Sequence, residues 1–266
     1  MKRMLITNNP EVACFADSLG VEIIFVDLET IGKSQRQGHL DTLISSHSIK
    51  DVALVKDSIN YADLLVRINP YHEKTFEEIE SVINSGADII MLPMINDVND
   101  VFLTSDLING RCRFVPLLET VYSVEYAKEI SRIKGVTGVH FGLNDLKIER
   151  NDSFIFKSVL DGTIESSIKG LEVPFGIGGV SKLASGDVPG GLVLSKFYCL
   201  GSTSVILARS FHNDSKDLNS LVKSGFQQEL EYFEDKIRAL ENNSLNENLK
   251  FVSDFNFKVN GILGKA

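Results

Sequence analysis

Short apolar runs recur along the chain, and the stretches between them carry apolar residues at helical spacing. The runs are LITN (5–8), VEIIFVDLE (21–29), ADLLVRIN (62–69), ADIIMLPMI (87–95), RFVPLLET (113–120), GVHFGLND (138–145), VPFGIGG (173–179) and TSVILARS (203–210). Between them PEVACFADSLG, TFEEIESVINSG and SVEYAKEISRIKG read as amphipathic helices, each ending on a glycine suited to a left-handed cap. Strand and helix in alternation mean parallel pairing, and near-continuous apolar strands mean burial on both faces. Eight such units in about 210 residues predict a closed (β/α)8 TIM barrel over residues 1–212. A doubly wound open sheet is the rival. It loses ground because no Gly-x-Gly-x-x-Gly turn follows the first strand, and GIGG (176–179) comes too late.

After the eighth run the pattern changes. Residues 215–242 predict one long charged helix whose Phe226, Leu230, Phe233, Ile237 and Leu240 form a narrow apolar seam. SLNENL (244–249) reads as a hinge before a final segment, FVSDFNFKV. Residues 213–266 are therefore expected to be a C-terminal helical extension, packed on the barrel or on a neighbouring subunit of a homo-oligomer.

Composition narrows the function classes. The 266 residues carry 27 Lys plus Arg against 36 Asp plus Glu, a formal charge of -9 without any basic block, which argues against a nucleic-acid partner. Cys14, Cys112 and Cys199 are odd in number and far apart, so neither a disulfide framework nor a structural zinc site is expected. A reducing, cytoplasmic setting fits. No apolar run approaches the roughly 18 residues of a membrane span.

The chemistry gathers at the strand ends. In a (β/α)8 barrel the loops at the carboxyl ends of the strands converge on one mouth. Asp27 and Glu29 close the second run, Arg67 the third, Glu119 the fifth, Asn144 and Asp145 the sixth, and Arg209 the eighth. Carboxylates that share a mouth repel one another unless a cation sits among them, and all-oxygen ligation favours magnesium or manganese.

The segments VDLE, VRINP, GADIIMLP, PLLET and GVTGVHFGLNDL, in this order from Val21 to Ser210, resemble the HpcH/HpaI aldolase/citrate lyase family. The resemblance implies a divalent metal, Mg2+ or Mn2+, on Glu119 and Asp145. It also implies that Arg67 faces an oxygen that becomes an enolate, in a reaction that makes or breaks a carbon–carbon bond. The expected substrate is a 2-keto acid of the pyruvate type. Asp27, Glu29, Arg36, Asn144, Gly178 and Arg209 complete the expected substrate-binding set: Arg36 from the polar loop GKSQRQGH (32–39), Asn144 through nearby backbone N–H groups or merely as a turn residue, and Gly178 for a phosphate or for close packing.

One part of the family pattern is missing. Pyruvate aldolases of the family carry a histidine just after the strand-two acid, and the citrate-lyase branch has DLED; this chain has DLET, with Thr30, Ile31 and Gly32 following Glu29. His72, after RINP, is the first substitute for the proton-transfer group and His39 the second, while His140 reads as a core residue and His47 and His212 as peripheral; a metal-bound water stays open as an alternative. Three functions stand open: a metal-dependent lyase or aldolase acting on a 2-keto acid, a citryl- or malyl-thioester lyase, and a non-catalytic metal- or ligand-binding barrel with a sensor or assembly role.

Overall fold

The computed structural model describes residues 1–32 and 47–264. Each apolar run contributes a strand: β1 Lys2–Ile6, β2 Ile23–Asp27, β3 Asp63–Arg67, β4 Ile89–Leu92, β5 Arg113–Leu118, β6 Val139–Phe141, β7 Phe175–Val180 and β8 Ser204–Leu207. Neighbours pair in parallel throughout, and β8 pairs with β1, so the sheet closes into a (β/α)8 barrel.

Side chains alternate between two cores. Met4, Ile23, Phe25, Leu65, Ile89, Met91 and Leu117 fill the barrel interior, while Leu5, Ile24, Val26, Leu64, Val66, Ile90 and Leu118 point outward to the helices. The helices are α1 Pro10–Ser18, α2 Ile49–Ser58, α3 Thr75–Asn84, α4 Val98–Ile108, α5 Val121–Glu125, α6 Ala127–Ser131, α7 Leu143–Glu149, α8 Lys157–Leu160, α9 Thr163–Ile168 and α10 Gly190–Cys199. Local chemistry sets their ends. Asn9 caps α1 by accepting the Glu11 and Val12 N–H groups, at 2.9 and 3.3 Å, ahead of Pro10. The stretch SVEYAKEISRIKG is not one helix: Tyr126, at φ -92° and ψ 16°, divides it into α5 and α6, with its ring stacked on Tyr122 at 4.5 Å.

A short 3-10 turn, Arg209–Phe211, follows β8 and leads to the C-terminal helices α11 Leu218–Lys223, α12 Phe226–Asn242 and α13 Leu245–Leu263. The single helix expected over 215–242 is broken at Gly225, whose φ of 78° suits glycine alone without cost. SLNENL is not a hinge. Ser244 caps α13 in a reciprocal capping box with Glu247, and the segment forms the helix's first turns.

The seam is buried within the same chain, with Phe226, Leu230, Phe233, Ile237 and Leu240 all below a tenth exposed. It therefore gives no support to the expected homo-oligomer. Near the start of α12, Glu229 accepts the Leu183 N–H at 3.2 Å, and Lys182 donates to the Ser224 carbonyl at 2.7 Å; both partners follow β7. Further along, Glu234 reaches Arg3 at the base of β1 at 2.6 Å. The helix thus runs down the barrel wall from rim to base. Among the described residues no helix is long and apolar enough to cross a membrane.

The buried seam has a measurable consequence. Phe233→Ala should destabilise the protein by about 3–5 kcal/mol in urea or guanidinium titration, the range for emptying a packed aromatic site. Phe257→Ala, at a side chain 77% exposed on α13, should change it by less than about 0.5 kcal/mol.

Candidate active site

Period-two alternation carries the interior face of each strand up to the mouth. Two residues above Phe25 and Leu65, β2 and β3 present Asp27 and Arg67, which are direct register partners. They meet as a two-pronged pair: Arg67 Nε donates to Asp27 Oδ1 and Nη2 to Oδ2, both at 2.8 Å. Nη2 also lies 3.2 Å from Glu29 Oε2, and the guanidinium sits 5.8 Å over the Phe25 ring. Asp27 and Glu29 are 3% and 2% exposed. Burial pulls the Arg67 pKa down, but the Asp27 carboxylate, with Glu29 and Glu119 beyond it, more than reverses this and raises it above the ordinary value. Arg67 stays charged.

Glu119 comes in two residues above Leu117, itself 2% exposed. Burial raises its pKa, Arg67 lowers it, and Asp145 and Glu29 raise it again, for a value of about 8. Two features hold it. Met94, in the left-handed region at φ 52°, turns its N–H onto Glu119 Oε1 at 3.1 Å. Gly142 leaves the carboxylate its room, since a Cβ there would stand 2.7 Å from Glu119 Cβ and 2.9 Å from Oε2. Asp145 is in the first turn of α7, half-buried and near enough for its charge to act on Glu119. Glu149 accepts the Val121 N–H at 3.0 Å and so ties the helix bearing Asp145 to the one that follows Glu119.

The other predicted residues fall into different places. Asn144 is exposed in the first turn of α7 rather than in an open turn, and Arg209 is exposed at the start of the 3-10 turn. Gly178 has a φ of 41° with Leu143 Cδ1 2.8 Å from where a Cβ would stand, so tight packing accounts for the glycine. Arg36 and His39 lie outside the described residues. His72 sets Nδ1 between the Pro70 carbonyl, at 3.1 Å, and the Thr75 hydroxyl, at 3.0 Å. Its ring lines a cleft of about 340 Å³ with Leu28, His47, Lys74 and Glu78. The structure records no contact between His72 and Arg67 or Glu119.

Sequence reasoning missed two supports. His47 is not peripheral, because its Nδ1 accepts the Asp27 N–H at 2.9 Å. Asn69 Oδ1 accepts the N–H groups of Thr30 and Ile31, both at 2.9 Å, and its Nδ2 donates to Glu78 at 2.8 Å. A polar residue two positions past Arg67, with the same parity, was the available signal for Asn69; nothing local marks His47.

His140 lies fully buried inside the barrel, with Nε2 3.3 Å from the Gly178 carbonyl and Nδ1 without a hydrogen-bond partner among the described residues. Burial lowers its pKa to about 4, against a small opposing effect of that carbonyl. A histidine depressed in the fold binds its proton more readily when unfolded, so stability should fall as the pH drops from about 6.5 towards 4, by up to about 1.4 kcal/mol per pH unit. Urea midpoints across that window should show the slope, and His140→Leu should flatten it.

The model of the HpcH/HpaI aldolase/citrate lyase family matches residues 7–151. No curated protein sequence matches the chain. Among solved structures, an HpcH/HpaI aldolase from Desulfitobacterium hafniense DCB-2 is similar at a TM-score of 0.61 and 13% identity, over 92% of this chain and 94% of that one. An HpcH/HpaI aldolase/citrate lyase family protein from Burkholderia cenocepacia J2315 gives 0.63 and 13%, over 88% and 94%. Macrophomate synthase gives 0.58 and 12%, over 91% and 85%. At such identities these likenesses are of fold. The family model spans more than half of the chain and includes Arg67, Glu119 and Asp145, so the chain belongs to the HpcH/HpaI aldolase/citrate lyase family.

Proposed function

We propose that this protein is a divalent-metal-dependent carbon–carbon lyase or aldolase that works through the enolate of a pyruvate-type 2-keto acid. The observation that carries the proposal is a buried guanidinium, fixed by Asp27, facing the buried acid Glu119 with Asp145 beside it.

The mouth fits a hard dication. Among the described residues Asp27, Glu29, Glu119 and Asp145 gather there around Arg67, and burial first, then the charges of Asp145 and Glu29, hold a proton on Glu119 up to a pKa of about 8. Among the described residues no group of three or more His, Cys, Asp or Glu is arranged to hold a metal. Two carboxylates, Glu119 and Asp145, are then the protein's share, a number typical of magnesium sites that leave the remaining positions to water and substrate. Bound there, Mg2+ or Mn2+ would orient the 2-keto acid and supply positive charge to the oxygen on which the enolate develops.

Arg67 acts beside it. Its Nε and Nη2 are taken by Asp27 and Glu29. Among the described residues Nη1 has no recorded partner and is left to donate to the keto oxygen, and Asp27 prevents the guanidinium from turning as charge builds. Burial of Arg67 against Phe25 keeps that donation in a low-dielectric setting.

Titration calorimetry tests the metal. Mn2+ should displace a proton near neutral pH, so affinity should climb as the pH rises towards about 8 and level off above it. Glu119→Gln should weaken binding strongly, and equal affinity in wild type and variant would remove Glu119 from the site.

Solvent deuterium exchange into the pyruvate methyl group tests the half-reaction without knowledge of the second substrate. Arg67→Lys and Arg67→Ala should still bind Mn2+ and lose about 10²-fold or more in exchange, the scale for removing one oxyanion donor. Exchange at the wild-type rate in Arg67→Ala would end the assignment, and exchange into acetyl thioesters alone would transfer the enolate to those substrates.

A further inference from the structure

Enolate chemistry needs a group that removes and returns the proton on the carbon beside the carbonyl, and among the side chains of the described residues, which do not include His39, the mouth narrows the choice. Glu119 and Asp145 are given to the metal. Asp27 has Oδ1 on Arg67 Nε and Oδ2 on Nη2, and Oδ1 also accepts the Glu29 N–H at 3.2 Å. His72 is turned onto Pro70 and Thr75 in the outer cleft. His47 faces the backbone of β2 through the Asp27 N–H, and His140 lies two residues before Gly142, inside the barrel.

Resting on the enolate reading above, we propose that Glu29 is the catalytic base of this enzyme. Its Oε2 lies 3.2 Å from Arg67 Nη2, and Nη1, the donor left for the keto oxygen, belongs to the same planar guanidinium. In pyruvate the methyl carbon is bonded to the carbonyl carbon. A keto oxygen held by one terminal nitrogen therefore carries that carbon towards a carboxylate held by the other. Glu29 is 2% exposed, which limits proton loss to water between removal and return. The chain just beyond it is clamped, because Asn69 accepts the Thr30 and Ile31 N–H groups and is itself held by Glu78. Acid and guanidinium are thus positioned from two adjacent strands.

The step balances without another reactant. A Glu29 carboxylate oxygen takes a proton from the methyl carbon, the C–H electron pair becomes the carbon–carbon double bond of the enolate, and the carbonyl π pair moves onto the oxygen opposite Arg67. Return of a proton from the Glu29 carboxylic acid to carbon reverses each movement. In deuterium oxide the returned nucleus is a deuteron.

The test compares wild type, Glu29→Gln and Glu29→Ala, all loaded with Mn2+. Methyl deuteration of pyruvate is followed by NMR. Oxalate, a planar enolate mimic, and Mn2+ are titrated separately as measures of an intact site. Glu29→Gln keeps an oxygen for Arg67 but cannot accept the proton. It should bind oxalate and Mn2+ like wild type and exchange about 10²-fold or more slowly, the lower end of the range for losing a general base. Added formate should restore part of the exchange in Glu29→Ala. Wild-type exchange in Glu29→Gln would overturn the proposal. So would a loss of exchange matched by an equal loss of oxalate binding with no formate rescue, which would make Glu29 only a support for Arg67. If wild type itself exchanges neither pyruvate nor an acetyl thioester, the enolate reading falls and takes the base with it.

Discussion

The mouth of this barrel depends on the buried pair between Arg67 and Asp27. A guanidinium and a carboxylate are taken out of water together, and the arrangement is tolerable because they are register partners that meet through two parallel hydrogen bonds of 2.8 Å. Removing either would take from the other both of these hydrogen bonds in a buried setting. The pair fixes the guanidinium. It takes up Nε and Nη2 of Arg67, and Glu29 lies on the same guanidinium. It also sets a fixed positive charge opposite Glu119.

The two ends of the barrel treat charge differently. At the base, Arg3 is closed off by Glu22, Glu234 and the Gly20 carbonyl, and Arg113 pairs with Asp63 at 2.5 Å. These contacts join the strand starts to each other and to α12. At the mouth, among the described residues, Asp27, Glu29, Glu119 and Asp145 gather around Arg67, and burial, together with the charges of Asp145 and Glu29, raises the Glu119 pKa. Charge that is matched holds the scaffold together. A buried acid with other acids close by favours a proton or a cation beside it.

Supports around the mouth come from distant parts of the chain. Asn69 and Glu78 hold the segment after Glu29, Glu149 joins the helix that bears Asp145 to the one that follows Glu119, and Met94 accepts a sparsely populated backbone conformation to give Glu119 a donor. The C-terminal helices add a brace through Lys182 and Glu229 to the loop after β7. Each support acts on backbone or loop position, which is how a rigid barrel holds acids close together against their repulsion.

The sequence by itself determined the eight strands, because buried parallel strands need continuous apolar runs that leave little else for those segments to be. It also determined which residues reach the mouth: Asp27, Arg67 and Glu119 stand two positions beyond Phe25, Leu65 and Leu117, and period-two alternation keeps each on the interior face. The ordered motifs carried the family. Tertiary structure alone decided how these groups meet. The union of Asp27 with Arg67 needs a register between strands forty residues apart, and the approach of His47 to β2 and the turn of Met94 onto Glu119 have no local pattern. The amphipathic seam of α12 likewise marked an apolar face without naming its cover, since hydrophobic burial is non-directional and any complementary surface satisfies it; here that surface belongs to the same chain.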